Sequence, residues 1–264
     1  MESTQTVTDQ MKRTLQVPTL PKRIISLVPS QTELLYDLGL REEVVGQTLF
    51  CIHPEQMHKT KTRVGGTKQL KHEVIASLNP DLIVGNKEEN TRSDIEQLME
   101  TYPVWMSDIQ HLEDALEMIT QVGALVGKVQ EASQIRTTIE QGFRALQTAS
   151  IPKKVLYLIW RKPWMAAGHD TFINDMLVRL GLINVATNQT SRYPELTNEQ
   201  LAAAQPEVIL LSSEPYPFKE KHIAELQELC PNANILLVDG ELFSWYGSRL
   251  QHSATYFNQL LTQL

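Results

Sequence analysis

The sequence predicts an α/β protein of two lobes, each with a mostly parallel sheet flanked by helices, joined by a single long backbone helix. Three observations predict it. Strand–turn–helix units recur in the two halves of the chain, apolar strands follow a proline with an acid beside it, and a helical apolar period fills the middle. Wholly apolar strands belong to parallel sheets covered on both faces, and strands alternating with helices imply right-handed crossovers.

In chain order, residues 1–20 form an N-terminal extension, and the first lobe occupies 21–110. Residues 23–40, RIISLVPSQTELLYDLGL, give a short apolar strand, a Pro29-Ser30 break and a helix closing at Leu38-Gly39-Leu40. Residues 73–84, EVIASLNPDLIV, give a short helix, a proline that ends it, and a buried strand; residues 103–108, PVWMSD, add one more strand. The connecting segment is 111–150, where Leu112, Leu116, Ile119, Val122, Val126, Val129, Ile135, Ile139, Phe143 and Leu146 recur at three- and four-residue steps. Gly127 interrupts it, leaving a second helix of roughly 20 residues, about 30 Å long at 1.5 Å per residue.

The second lobe, 151–264, repeats the plan of the first. KVLYLIW is its opening strand, RKPWMAAGHDT a longer loop, and FINDMLVRLGL a helix ending on the same Leu-Gly-Leu, so Gly39 and Gly181 occupy the left-handed cap position. Residues 199–210, EQLAAAQPEVIL, match 73–84, and NILLVDG (234–240) closes the lobe.

Bulk composition excludes several function classes. A net charge of −7 and a pI near 5.5, with no basic run, exclude a nucleic-acid partner. No stretch is apolar enough to span a membrane, and the first twenty residues hold no apolar signal-peptide core, which implies a cytoplasmic protein if the sequence is complete. The two cysteines, Cys51 and Cys230, are read as free thiols. There is no Walker loop, GxGxxG, nucleophile elbow or HExxH, and Gly65-Gly66-Thr67-Lys68 lacks the spacing of a phosphate loop.

RIISLVPSQTELLYDLG, the NPDLIV strand and the connecting helix resemble the helical-backbone (class III) periplasmic binding proteins of ABC importers. The similarity runs from Pro21 to the C-terminus, and the pattern of the cobalamin-binding members is the nearest. The resemblance implies a non-catalytic receptor with no cofactor of its own. It would capture a corrinoid, haem or ferric siderophore in the cleft between lobes and pass it to an ABC permease outside the cytoplasm. Glu73 and Glu199, each seven residues before its proline (Pro80 and Pro206), match the acids that dock such proteins on the permease.

Ligands of open α/β sheets sit outside the carboxyl ends of the strands. On that basis and on the resemblance, Ser30, Gln31, Phe50, His53, Thr67 and Asn86 are the ligand contacts of the first lobe. Trp160, Arg161, Trp164, His169, Tyr193 and Trp245 are those of the second. Where the cobalamin pattern carries tryptophans this chain has Thr67 and Asn86, and Phe50 and Tyr193 replace a tyrosine and a tryptophan, so the ligand class stays open among these chelates. Cys51 and His53, with His169, form a candidate metal-ligand set, either for a bare ion or as axial ligands to a macrocycle. A cytoplasmic carrier, sensor or enzyme acting on a metal chelate is the alternative function.

Overall fold

The computed structural model describes residues 3–188 and 190–264, and by contact it divides into two compact units. The first is Met1–Ile109 with Glu113–Glu140 and Tyr246–Gln251; the second is Gln110–Leu112, Gln141–Trp245 and His252–Leu264.

The first unit opens with a hairpin, β1 (Thr4–Thr8) and β2 (Thr14–Pro18), where sequence reading placed a featureless extension. Its turn is held by Asp9, whose buried carboxylate takes hydrogen bonds from the Arg13 guanidinium and the Arg13 N–H. There follow β3 (Ile24–Ser26), α1 (Pro29–Asp37), β4 (Val44–Gln47), α2 (Glu55–Thr60), β5 (Thr62–Arg63), β6 (Gly65–Gly66), β7 (Gln69–Leu70), α3 (His72–Leu78), β8 (Leu82–Asn86), α4 (Arg92–Met99) and β9 (Val104–Ser107). The sheet has the order β5-β4-β3-β8-β9, all parallel, while β6 and β7 form a separate hairpin. Every residue of β8 and β9 is buried, as strands covered on both faces require.

The middle segment is two helices, α5 (Leu112–Leu125) and α6 (Val129–Arg144). Gly127, at φ 70°, breaks them apart. α6 has 16 residues, shorter than the sequence period implied, because its last turn loosens at Ala145–Gln147. The boundary between the units falls inside α6, after Glu140.

The second unit contains β10 (Lys154–Trp160), β11 (Trp164–Ala166), α7 (Phe172–Arg179), β12 (Ile183–Asn184), β13 (Glu195–Leu196), α8 (Asn198–Ala203), β14 (Val208–Ser212), α9 (Glu220–Leu229), β15 (Asn234–Val238), α10 (Glu241–Ser244) and most of α11 (Leu250–Leu261). Its sheet runs β13-β11-β10-β14-β15 with β12 also on β10, and only β11 is antiparallel to its neighbours. The core combines Leu156, Leu158, Ile209, Leu211, Leu201 and Leu226 with the aromatics Trp164 and Phe218.

The internal duplication is physical. After α1, Gly39 (φ 87°) donates to Tyr36 O at 2.8 Å and Leu40 donates to Leu35 O at 2.9 Å. After α7, Gly181 (φ 72°) donates to Val178 O at 2.9 Å and Leu182 to Leu177 O at 3.0 Å. Both are Schellman closures, which need a residue without a Cβ penalty at positive φ. The acid after each proline then grips the neighbouring parallel strand. Asp81 accepts from the N–H groups of Lys22 and Arg23, and Glu207 accepts from that of Lys154.

Tyr246–Gln251 belongs to the first unit although it stands between two stretches of the second. The Tyr246 hydroxyl donates to Glu89 Oε1 at 2.6 Å, and Arg249 makes a two-pronged pair with Glu33 at 2.8 and 2.6 Å. A Cβ on Gly247 would stand 2.4 Å from Ser30 O, so only glycine lets this segment lie on α1.

Candidate functional site

In the first unit the chain leaves the carboxyl ends of β3, β4, β8 and β9 through polar loops, and much of that polarity is turned inward. Gln31 donates to Gly85 O at 3.2 Å and to Ser107 Oγ at 2.7 Å; Asn86 donates to the same Ser107 Oγ at 3.0 Å. Asn86 Oδ1 accepts from the N–H groups of Glu88 and Glu89, and Asn90 caps Asn86 N–H. Ser30, Gln31 and Asn86 are all buried. The Gln31 Nε2–H and the Asn86 amide thus fix the loop after β8 from within, while Gln31 Oε1 is buried with no hydrogen-bond partner among the described residues.

For Cys51 the structure corrects the sequence expectation. It is fully buried, its sulfur lies 3.0 Å from Thr32 Oγ1 and 3.1 Å from Thr48 Oγ1, and burial pushes the thiol above its ordinary pKa. A neutral, enclosed thiol is a poor metal ligand, since the thiolate does the ligating. Among the described residues no three His, Cys, Asp or Glu side chains gather as a metal site; Cys51 and His53 belong to the first unit and His169 to the second. Exposed at this end of the sheet are the apolar Leu49, Phe50 and Ile52, at 50%, 59% and 45%, together with Lys68 and Lys87; His53 and Thr67 are half-buried.

In the second unit the side chains at the end of β10 diverge. Trp160 is 41% exposed, whereas Trp164 is buried in the core, stacked on Phe218 with an interplanar angle of 8°, its Nε1–H on Asn198 Oδ1 at 2.9 Å. Trp164 is thus a packing residue rather than the ligand contact expected. Trp245 is buried as well, donating to Glu214 Oε1 at 3.0 Å, an oxygen that Ser244 also reaches at 2.6 Å. Burial raises the Glu214 carboxyl, and these hydrogen bonds offset only part of the rise.

Around Trp160 lies a set of residues that sequence reading did not single out. Its ring meets Tyr216 edge-on at 5.6 Å, and Tyr216 meets Phe218 at 4.8 Å. Arg161 is clasped by Glu225 at 2.7 and 2.6 Å, which holds that carboxyl below its usual range. His222 is buried with Tyr216 Oη 3.2 Å from its Nε2. The signal was present in SSEPYPFKEKH, where a Pro-spaced aromatic pair follows a buried strand. Tyr193 is half-buried with Arg192 over its ring at 5.9 Å. His169 bonds Asp170 at 2.8 Å, which raises its pKa.

Glu73 and Glu199 are both exposed, in the first turns of α3 and α8. Each helix ends at a positive-φ residue before proline, Asn79 at 42° and Gln205 at 44°, so the two acids hold equivalent places in their own units. The α8 turn is the more built: Thr197 and Gln200 form a capping box, and the Thr197 hydroxyl lowers the Glu199 pKa.

A family profile described as periplasmic binding protein matches residues 24–229. An ABC transporter substrate-binding lipoprotein, YvrC, of Bacillus subtilis is 27% identical over 78% of this chain and 68% of its own. The vitamin B12-binding protein of Pectobacterium atrosepticum is 24% identical over 93% of this chain and 90% of its own. Among solved structures, the apo periplasmic heme-binding protein RhuT of Roseiflexus sp. RS-1 superposes with a TM-score of 0.79 at 23% identity, covering 92% of this chain and 97% of that one.

Proposed function

The chain belongs to the periplasmic binding protein family, and from that premise we propose that it is the substrate-binding protein of an ABC importer. Its substrate is a corrinoid or another metal chelate, such as haem or a ferric siderophore, and it acts as a receptor without catalysis. Relatives named for ABC transport, vitamin B12 and heme support this range. The observation that carries the reading is the exposure of Trp160, at 41%, on the last residue of a strand whose central residues, Val155 to Ile159, are all buried. An exposed indole at the carboxyl end of a parallel sheet, beside Tyr216, is an apolar face for a large flat ligand. In the first unit, the exposed Phe50, whose ring lies against Gly66, plays the corresponding part.

Titration of the purified chain with cyanocobalamin, cobinamide, haem and a ferric siderophore, followed by tryptophan quenching and absorbance, tests the reading. Saturable binding of one of them at about micromolar or tighter, about −8 kcal/mol, supports it. Failure of all four sinks the metal-chelate substrate.

Delivery to a permease is assigned to Glu73 and Glu199. Exposed charges of this kind set orientation and encounter rate more than affinity. Glu73→Ala with Glu199→Ala should abolish uptake in cells while leaving substrate affinity unchanged. Lost affinity would remove the docking role. The family is periplasmic, and no helix among the described residues is long and apolar enough to cross a membrane.

A further inference from the structure

The turn between β6 and β7 is Thr67-Lys68, on a hairpin that pairs only Gly65 with Leu70 and Gly66 with Gln69. So small a ribbon is at best marginally stable by itself. It is held from outside. The stretch leading into α4 takes both carbonyls of the turn: Asn90 Nδ2 donates to Thr67 O at 3.2 Å, and Thr91 Oγ1 donates to Lys68 O at 3.0 Å. In return the Lys68 ammonium donates to Glu88 O at 2.6 Å.

These bonds displace more local ones. Thr91 is the N-cap residue of α4, where a threonine ordinarily accepts a helix N–H, yet its side chain makes no capping bond. Asn90 is buried, and its amide joins the hairpin to two strand ends. Its oxygen accepts from the N–H of Asn86, the last residue of β8, at 2.8 Å, and its nitrogen also donates to Leu27 O, just beyond β3, at 3.4 Å.

The hairpin in turn carries the Phe50 loop. Leu49 N–H donates to Gly65 O at 2.8 Å, and a Cβ on Gly66 would stand 3.3 Å from Phe50 Cε2, so the ring lies against the hairpin backbone. An exposed ring of this kind binds more tightly when its loop is already ordered, because ordering a loop on binding costs affinity.

We infer that Asn90 and Thr91 are positioning residues for ligand capture: by clasping the Thr67-Lys68 turn they hold Leu49 and Phe50 in place before the ligand arrives. This rests on the substrate-binding reading above and on the part Phe50 plays in it. Phe50 touches the ligand; Asn90 and Thr91 act through it.

Whichever of cyanocobalamin, cobinamide, haem and the ferric siderophore wild type binds is titrated into full-chain variants, with thermal melts to check folding. Thr91→Val removes one exposed hydrogen bond and should fold, with affinity down about threefold to fivefold. Thr91→Ser keeps the hydroxyl and should bind as wild type. Asn90→Ala should weaken binding about fivefold to tenfold. Phe50→Ala should weaken it too, and adding Thr91→Val to that variant should change nothing further. Wild-type affinity in Thr91→Val or in a folded Asn90→Ala overturns the inference. So does a Thr91→Ser that binds as poorly as Thr91→Val, or a Thr91→Val loss that persists undiminished without the Phe50 ring. Should Asn90→Ala fail to fold, the two Thr91 variants decide alone. A Phe50→Ala that binds as wild type removes Phe50 from the site as well, and a wild type that binds none of the four removes the parent reading.

Discussion

Trp160 and Trp164 stand four residues apart, and replacing each with alanine should separate a ligand contact from a core residue. Trp164 is 7% exposed. Burying an indole removes about 200 Å² from water, about 5 kcal/mol at 25 cal/mol/Å². A compact unfolded state trims that figure, and measured Trp→Ala losses in cores run about 3–5 kcal/mol. Asn198, which loses its partner, is exposed and can bond water, so no orphan penalty is added. Trp164→Ala should therefore cost about 3–4 kcal/mol and, at about 2–4 °C per kcal/mol for a unit of this size, lower the melting temperature by about 6–16 °C. Trp160 is already 41% exposed and gives up chiefly its edge contact with Tyr216, about 0.5–1.5 kcal/mol. Its alanine variant should fold nearly as well as wild type and lose more than tenfold in affinity for the chelate that wild type binds. Urea unfolding by far-UV circular dichroism and tryptophan-quenching titration read the two effects. If Trp164→Ala melts with wild type and binds poorly, the core assignment is refuted.

Three further outcomes follow from the same geometry. Glu214 and Glu33 have folded-state pKa values raised chiefly by burial, so the folded chain binds more protons than the unfolded one between the ordinary carboxyl value and the raised one. Their contribution is whole below the ordinary value and is lost as pH rises through the raised one; the urea midpoint should fall over that window, and Glu214→Gln should flatten the fall. Identical pH profiles for variant and wild type would count against it. Cys51 and Cys230 are both buried, with pKa values raised by burial, so a thiol reagent should label neither in the native state and both in denaturant. Rapid native labelling would contradict the burial. Gly39→Ala and Gly181→Ala should each cost about 1–2 kcal/mol through the left-handed cap, and a stability gain at either would show the cap to be misread.

The parts of the fold that repeat were readable because local chemistry wrote them twice. Leu-Gly-Leu after a helix and an acid after a proline each dictate one hydrogen-bond pattern wherever they occur. The opening hairpin was also written, in the alternation TQTVT and TLQVP around a polar turn, but a short polar ribbon gives no apolar signal to mark it. The site was less legible. Trp160 and Trp164 look alike in sequence, and only the reversal from β10 into β11 sends one outward and the other into the core. Gln31 and Asn86 looked like ligand-facing amides because nothing local reveals Ser107 as their shared partner, 76 and 21 residues away. Tyr216 meets Trp160 and His222 through the packing of β10 and α9, which a local reading of the chain does not reveal.

The return of Tyr246–Gln251 to the first unit means that neither unit is one uninterrupted stretch of gene. A fragment stopped at Glu140 would leave Glu33 without its guanidinium and Glu89 without its phenol. Trimming the tail would injure the amino-terminal half first. Recombination could not exchange the halves as cassettes cut at α6, because the first half travels with its own keystone stored near the other end of the message.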